Sequence, residues 1–175
     1  MPRQPHCSCS HAKVDHYFRG CCKECGCTWY HPGQQYIKNN QAVYAATQLN
    51  TLSQSRIKTL CRKVVEYCEQ ELGKRPHRAA PTVKLVHHNP EKDLGEYQDP
   101  TNEIVVFIDD HRRVGQLVST IIHEYTHYLQ PRGDSYNNLL RRWGYADHPY
   151  EVEARLNESY YTRRALAWIR SSVKR

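Results

Sequence analysis

The run HRRVGQLVSTIIHEYTHYLQP (111–131) most constrains what this chain can fold into. Its spacing predicts one long helix, stopped by Pro131, which cannot continue a helical hydrogen-bond ladder. Around its centre, Thr120, Ile121, Ile122, Tyr125, Thr126, Tyr128 and Leu129 carry no charge. The helix can therefore be buried, and yet it holds His123, Glu124 and His127. The two histidines are four apart and share one helical face, close enough to hold a single metal ion. Glu124 lies one position round, where it can hold a metal-bound water rather than the metal. With 11 His and 11 Glu in 175 residues, a random HExxH arises in roughly one such chain in 25. The surroundings of the motif must decide.

Length and composition narrow the class. A chain of 175 residues suits one domain of ordinary size with a small appendage. Mean hydropathy is negative, and the longest apolar runs, EIVVFID (103–109) and LVSTII (117–122), fall far short of a membrane span. The start, MPRQPHCSCSH, has no apolar stretch of the secretory kind, so the expectation is a soluble, cytoplasmic protein with no membrane partner. The net charge of +7, densest at Arg163, Arg164, Arg170, Lys174 and Arg175, is a solvated basic surface that also suits acidic partners, nucleic acid included.

Elsewhere the pattern separates helices from strands. SQSRIKTLCRKVVEYCEQELGKRP puts Ile57, Leu60, Cys61, Val64, Val65, Cys68 and Leu72 on one stripe. Ser53 or Ser55 can cap its start, and Gly73 and Pro76 end it. Cys61 and Cys68 read as core residues, since a free thiol behaves as a small hydrophobe. TVKLVHH (82–88), LGEYQD (94–99) and NEIVVFID (102–109) read as strands, the second at an edge. A shorter helix is expected over 134–145 and a last one from 149 to about 170, with Pro149 in its first turn.

A catalytic zinc wants a third protein ligand and an open position. No HxxGxxH continuation follows His127, but HPYEVEARLNES (148–159) opens a helix with Glu151 and Glu153. HEYTH followed by PYEVEAR resembles the gluzincin branch of zinc metallopeptidases, in which HExxH and a later helical Glu bind the metal. GEYQDPTNEIVVFI resembles the edge strand and hairpin that precede the HExxH helix in small zincins. The resemblance covers residues 80 to 170. It implies an α+β, zincin-like domain: an N-terminal helix, a small antiparallel or mixed sheet of about three strands, the HExxH helix, then C-terminal helices. It implies hydrolysis of peptide bonds by zinc-bound water, with Glu124 as general base and a peptide or protein substrate extended along Gly95 to Gln98. By the ExEA match the third ligand is Glu151. Arg155 departs from the pattern, and Glu153, with Asn157 four residues on, is its rival. Tyr145, His148 and Tyr160 are candidates to stabilise an oxyanion, and Asp147 is a candidate to orient a ligand histidine.

Six of the eight cysteines crowd the first 27 residues. In a reducing compartment such a cluster reads as metal ligands before disulfides. Cys22 and Cys25 form a CxxC knuckle and Cys7 and Cys9 a second pair, enough for one closed structural zinc site. Cys21, Cys27, His6 and His11 are substitutes. No βαβ context favours a redox CxxC. The expectation is a Cys/His-rich head over 1–35 and a catalytic domain over 40–175, with two zinc ions between them. An alternative makes the chain a nucleic-acid-binding or regulatory module, with head and basic surface contacting DNA or RNA.

Overall fold

The structure, a computed structural model, describes residues 16–17, 21–22, 45–87, 93–131, 134–145 and 147–173. The chain divides into two units, Met1–Lys38 and Asn39–Arg175. In the first, strand β1 (His16–Tyr17) pairs antiparallel with β2 (Cys21–Cys22). Cys7, Cys9 and Cys25, expected as structural zinc ligands, lie outside the described residues, as do Cys27, His6 and His11; of Cys21 and Cys22 only the backbone is described.

The second unit is mixed α+β. Helix α1 (Gln54–Leu72) begins where the Ser53 side chain accepts from the Arg56 N–H, and ends at Gly73, whose φ of 82° is costly for other residues. Its expected stripe is buried, and burial pushes the Cys61 thiol up to about 12, so it stays a neutral core group. Strands β3 (Thr82–Val86), β4 (Gly95–Gln98) and β5 (Glu103–Phe107) form one sheet in the order β3-β5-β4. β5 runs parallel to β3 and antiparallel to β4, and its Ile104, Val105 and Val106 are all buried, as suits a central strand.

Helix α2 (Val114–Leu129) starts later than the sequence pattern suggests. The Gln116 carboxamide accepts from the N–H groups of Arg112 and Arg113, each at 3.0 Å, and so defines the first turn. His111, expected in the helix, is instead a buried loop residue. Its ring bonds the Phe107 carbonyl and the Thr120 hydroxyl, each at 2.9 Å. Helix α3 (Asp134–Trp143) ends at Gly144, and α4 (Pro149–Val173) packs along α2. On the face of α2 toward α1, the Tyr125 hydroxyl donates to the Gly73 carbonyl at 2.8 Å, and the Tyr128 oxygen accepts from the Arg75 N–H at 3.0 Å. No helix among the described residues is long and apolar enough to cross a membrane.

Candidate metal centre

One helical turn brings the two histidines together. The Nε2 atoms of His123 and His127 lie 3.1 Å apart on α2. From α4, Glu151 places Oε2 at 3.5 Å from His123 Nε2 and Oε1 at 3.2 Å from His127 Nε2. Donor atoms on a tetrahedral ion with bonds of about 2.0–2.1 Å stand roughly 3.3–3.4 Å from one another. The His–His separation and the shortest reach of each histidine to the Glu151 carboxylate, one to each oxygen, lie within a few tenths of an ångström of that length.

The hydrogen bonds behind the histidines decide what those atoms offer. His123 Nδ1 lies 3.2 Å from Glu158 Oε2, and His127 Nδ1 lies 2.7 Å from Gln130 Oε1. A carboxylate and an amide oxygen only accept, so both Nδ1 atoms carry the hydrogen. In their neutral forms both Nε2 atoms then turn lone pairs inward, toward the Glu151 carboxylate. Three acceptors converging on one point need a cation between them, and this donor set fits one.

The electrostatics agree. Burial disfavours the charged form of His123, but hydrogen bonds to Glu151 and Glu158 outweigh it and raise its pKa to about 9. Burial also opposes ionisation of Glu151, yet the hydrogen bond from His123 and the closeness of His127 hold its carboxyl well below the usual range. In the metal-free chain a proton thus occupies the gap that a metal ion fits.

Glu124 is 6 % exposed and points at the same space from β4's side. Burial raises its pKa, and the charges of His127 and His123 and a bond from the Tyr97 backbone oppose that rise. β4 comes this close because residue 95 is glycine. A Cβ there would stand 2.7 Å from Thr120 Cγ2, 3.0 Å from the Val105 carbonyl oxygen and 3.4 Å from Glu124 Cγ. The cleft over the centre has a volume of about 880 Å³ and is lined by Asp93 to Tyr97, Tyr136, Tyr145 and Arg155 besides the residues above.

No protein-family model, no curated protein and no solved structure matches the chain. Function must therefore be read from the site.

Of the residues singled out in the sequence, His123, His127 and Glu151 meet, with Glu124 beside them. The rival Glu153 stays outside the cleft lining, its Oε2 accepting from Gln130 Nε2 at 3.0 Å, and Asn157 donates to Thr126 Oγ1. Asp147 does not orient either ligand histidine: it is exposed, and Glu158 and Gln130 occupy both Nδ1 atoms. His148 is not an oxyanion donor. It is fully buried, with Nδ1 accepting from the Tyr150 N–H and Nε2 donating to the Tyr136 carbonyl. Tyr160 packs on Tyr161 and under the Arg164 guanidinium, outside the cleft lining. Tyr145 does line the cleft. Partial burial and the charges of Glu151 and Glu124 push its hydroxyl up to about 12, so it stays a proton donor at neutral pH. Glu158 and Gln130 escaped the sequence reading. Glu158 follows Glu151 by two helical turns and so shares its face, and its other oxygen accepts from the Ser119 hydroxyl.

Proposed function

We propose that the chain is a zinc-dependent metallopeptidase of zincin-like fold and gluzincin type. The observation that carries this reading is the convergence of His123 Nε2, His127 Nε2 and the Glu151 carboxylate within metal-binding reach of one another, with Glu124 buried beside them. Two imidazoles and one carboxylate suit zinc among the common divalent ions. Zinc held there would act as a Lewis acid, acidifying a water and polarising the substrate carbonyl.

The remaining steps belong to the chain. Glu124, whose pKa burial raises, takes the proton of the attacking water and passes it to the leaving amine nitrogen. The Tyr145 hydroxyl donates to the oxygen of the carbonyl under attack. The substrate lies extended against β4: one edge of that strand pairs with β5, and among the described residues no strand pairs with the other. A peptide added there runs past Gly95, where the strand is closest to Glu124.

The test is hydrolysis of an unfolded protein substrate with zinc counted per chain. Wild type should lose activity to a chelator and regain it with zinc. His127→Ala should lose one zinc. Glu124→Gln should keep the zinc and lose hydrolysis by roughly 100-fold or more. Retained proteolysis in that variant would sink the mechanism.

A further inference from the structure

Glu151 reaches the histidines from a helix that begins only after α3 and a turn have intervened. The side chain of Gln130, the first residue past α2, closes that gap. It is 4 % exposed, and its amide is used on both sides. Nε2 donates to the Tyr150 carbonyl at 2.9 Å and to Glu153 Oε2 at 3.0 Å, both near the start of α4. Both of those partners only accept, so the amide cannot be reversed. Oε1 must then face His127, where it receives the Nδ1 hydrogen at 2.7 Å.

We propose that Gln130 is a positioning residue with two separable effects. It fixes His127 as the Nδ1–H tautomer, leaving Nε2 with its lone pair toward the centre. It also fastens the turn that carries Glu151 to the end of the helix that carries both histidines. The inference rests on the reading of these three residues as metal ligands only for its consequence in affinity. The tautomer is a property of the metal-free chain.

Substitution separates the two effects. Gln130→Lys keeps donors for Tyr150 and Glu153 and offers His127 no acceptor. Gln130→Glu keeps the acceptor, loses both donors, and sets its charge against Glu153. In Gln130→Glu/Glu153→Gln the new amide at 153 donates back to the carboxylate at 130. Two measurements are needed on the full chain. One is the pair of His127 ring nitrogen shifts in the metal-free protein. The other is zinc affinity by competition with a chelating dye, with His127→Ala as the baseline.

The lysine variant should show a mixed tautomer and about 10–100-fold weaker zinc binding. The glutamate variant should keep the tautomer and bind zinc more weakly, and the double variant should recover most of that loss. An unchanged tautomer and affinity in the lysine variant would overturn the proposal. So would a folded double variant that binds no better than Gln130→Glu. Should the lysine variant fail to fold, the glutamate pair still decides. If wild type binds zinc no better than the His127→Ala baseline, the metal reading fails, while the shifts still judge the tautomer.

Discussion

Zinc affinity at the candidate centre should depend on pH in a range where ordinary histidine ligands no longer titrate. His123 holds its proton up to about pH 9 because Glu151 and Glu158 both accept from it. A metal ion must displace that proton. Each pH unit below 9 then weakens apparent affinity by about tenfold, so binding at pH 7 is roughly 100-fold weaker than above 9, or about 2.7 kcal/mol. The sign is opposite for the metal-free chain. A histidine whose pKa is raised on folding contributes its full stability below its unfolded value of 6.5, and that contribution is lost as pH rises through about 9. The assay is calorimetric zinc titration at pH 7.0 to 8.5 in buffers of different protonation enthalpy, with thermal melts of the metal-free protein. About one proton should leave per zinc at pH 7, and the metal-free melting point should fall toward pH 9. Glu158→Gln removes one of the two acceptors, so the slope should flatten at lower pH. An affinity flat between pH 7.5 and 8.5, with no proton released, would refute the reasoning.

Other expectations follow from single contacts. Gly95→Ala forces a methyl group against Thr120 and the Val105 carbonyl; overpacking of this kind costs about 1–3 kcal/mol, and Thr120→Ser should recover part of it in a thermal melt. A melting point unchanged by Gly95→Ala would mean that β4 does not approach α2 as described. Tyr145→Phe should lower kcat by about tenfold or more with KM little changed; a change in KM alone would make Tyr145 a binding residue. Burial lowers the His111 pKa, so its contribution is present above 6.5 and lost as pH falls. His111→Gln should therefore melt lower at neutral pH and show a shallower acid decline below pH 6, and an equally steep decline would place the acid sensitivity elsewhere.

Much of this was legible in the sequence. The stripe on α1 and the uncharged flanks of α2 announce buried helix faces, because a 3.6-residue period leaves few alternatives. The meeting of His123, His127 and Glu124 follows from local helix geometry alone. Glu151 against Glu153 could not be settled so, since both open α4 and the choice depends on how that helix is rotated against α2. In the fold Glu151 reaches the histidines while Glu153 is engaged by Gln130. The start of α2 was misjudged because His111, Arg112 and Arg113 carry no helix-breaking residue. What holds them out is a side chain further along, at Gln116, and the His111 bonds across the turn. His148 and Tyr160 were plausible donors by position, but burial and ring packing commit them elsewhere.

The tyrosine hydroxyls on the far side of α2 bear on how the molecule breathes. The side chains of Tyr125 and Tyr128 tie that helix to the backbone just past α1, at Gly73 and Arg75, while its other flank is bonded to α4 through Glu158, Asn157 and Gln130. Opening α2 locally would strip both sets of bonds at once. Its amide hydrogens should therefore exchange with solvent only through near-global unfolding, whereas those of α3, whose Arg141, Arg142 and Trp143 stand in water, should exchange through small local openings.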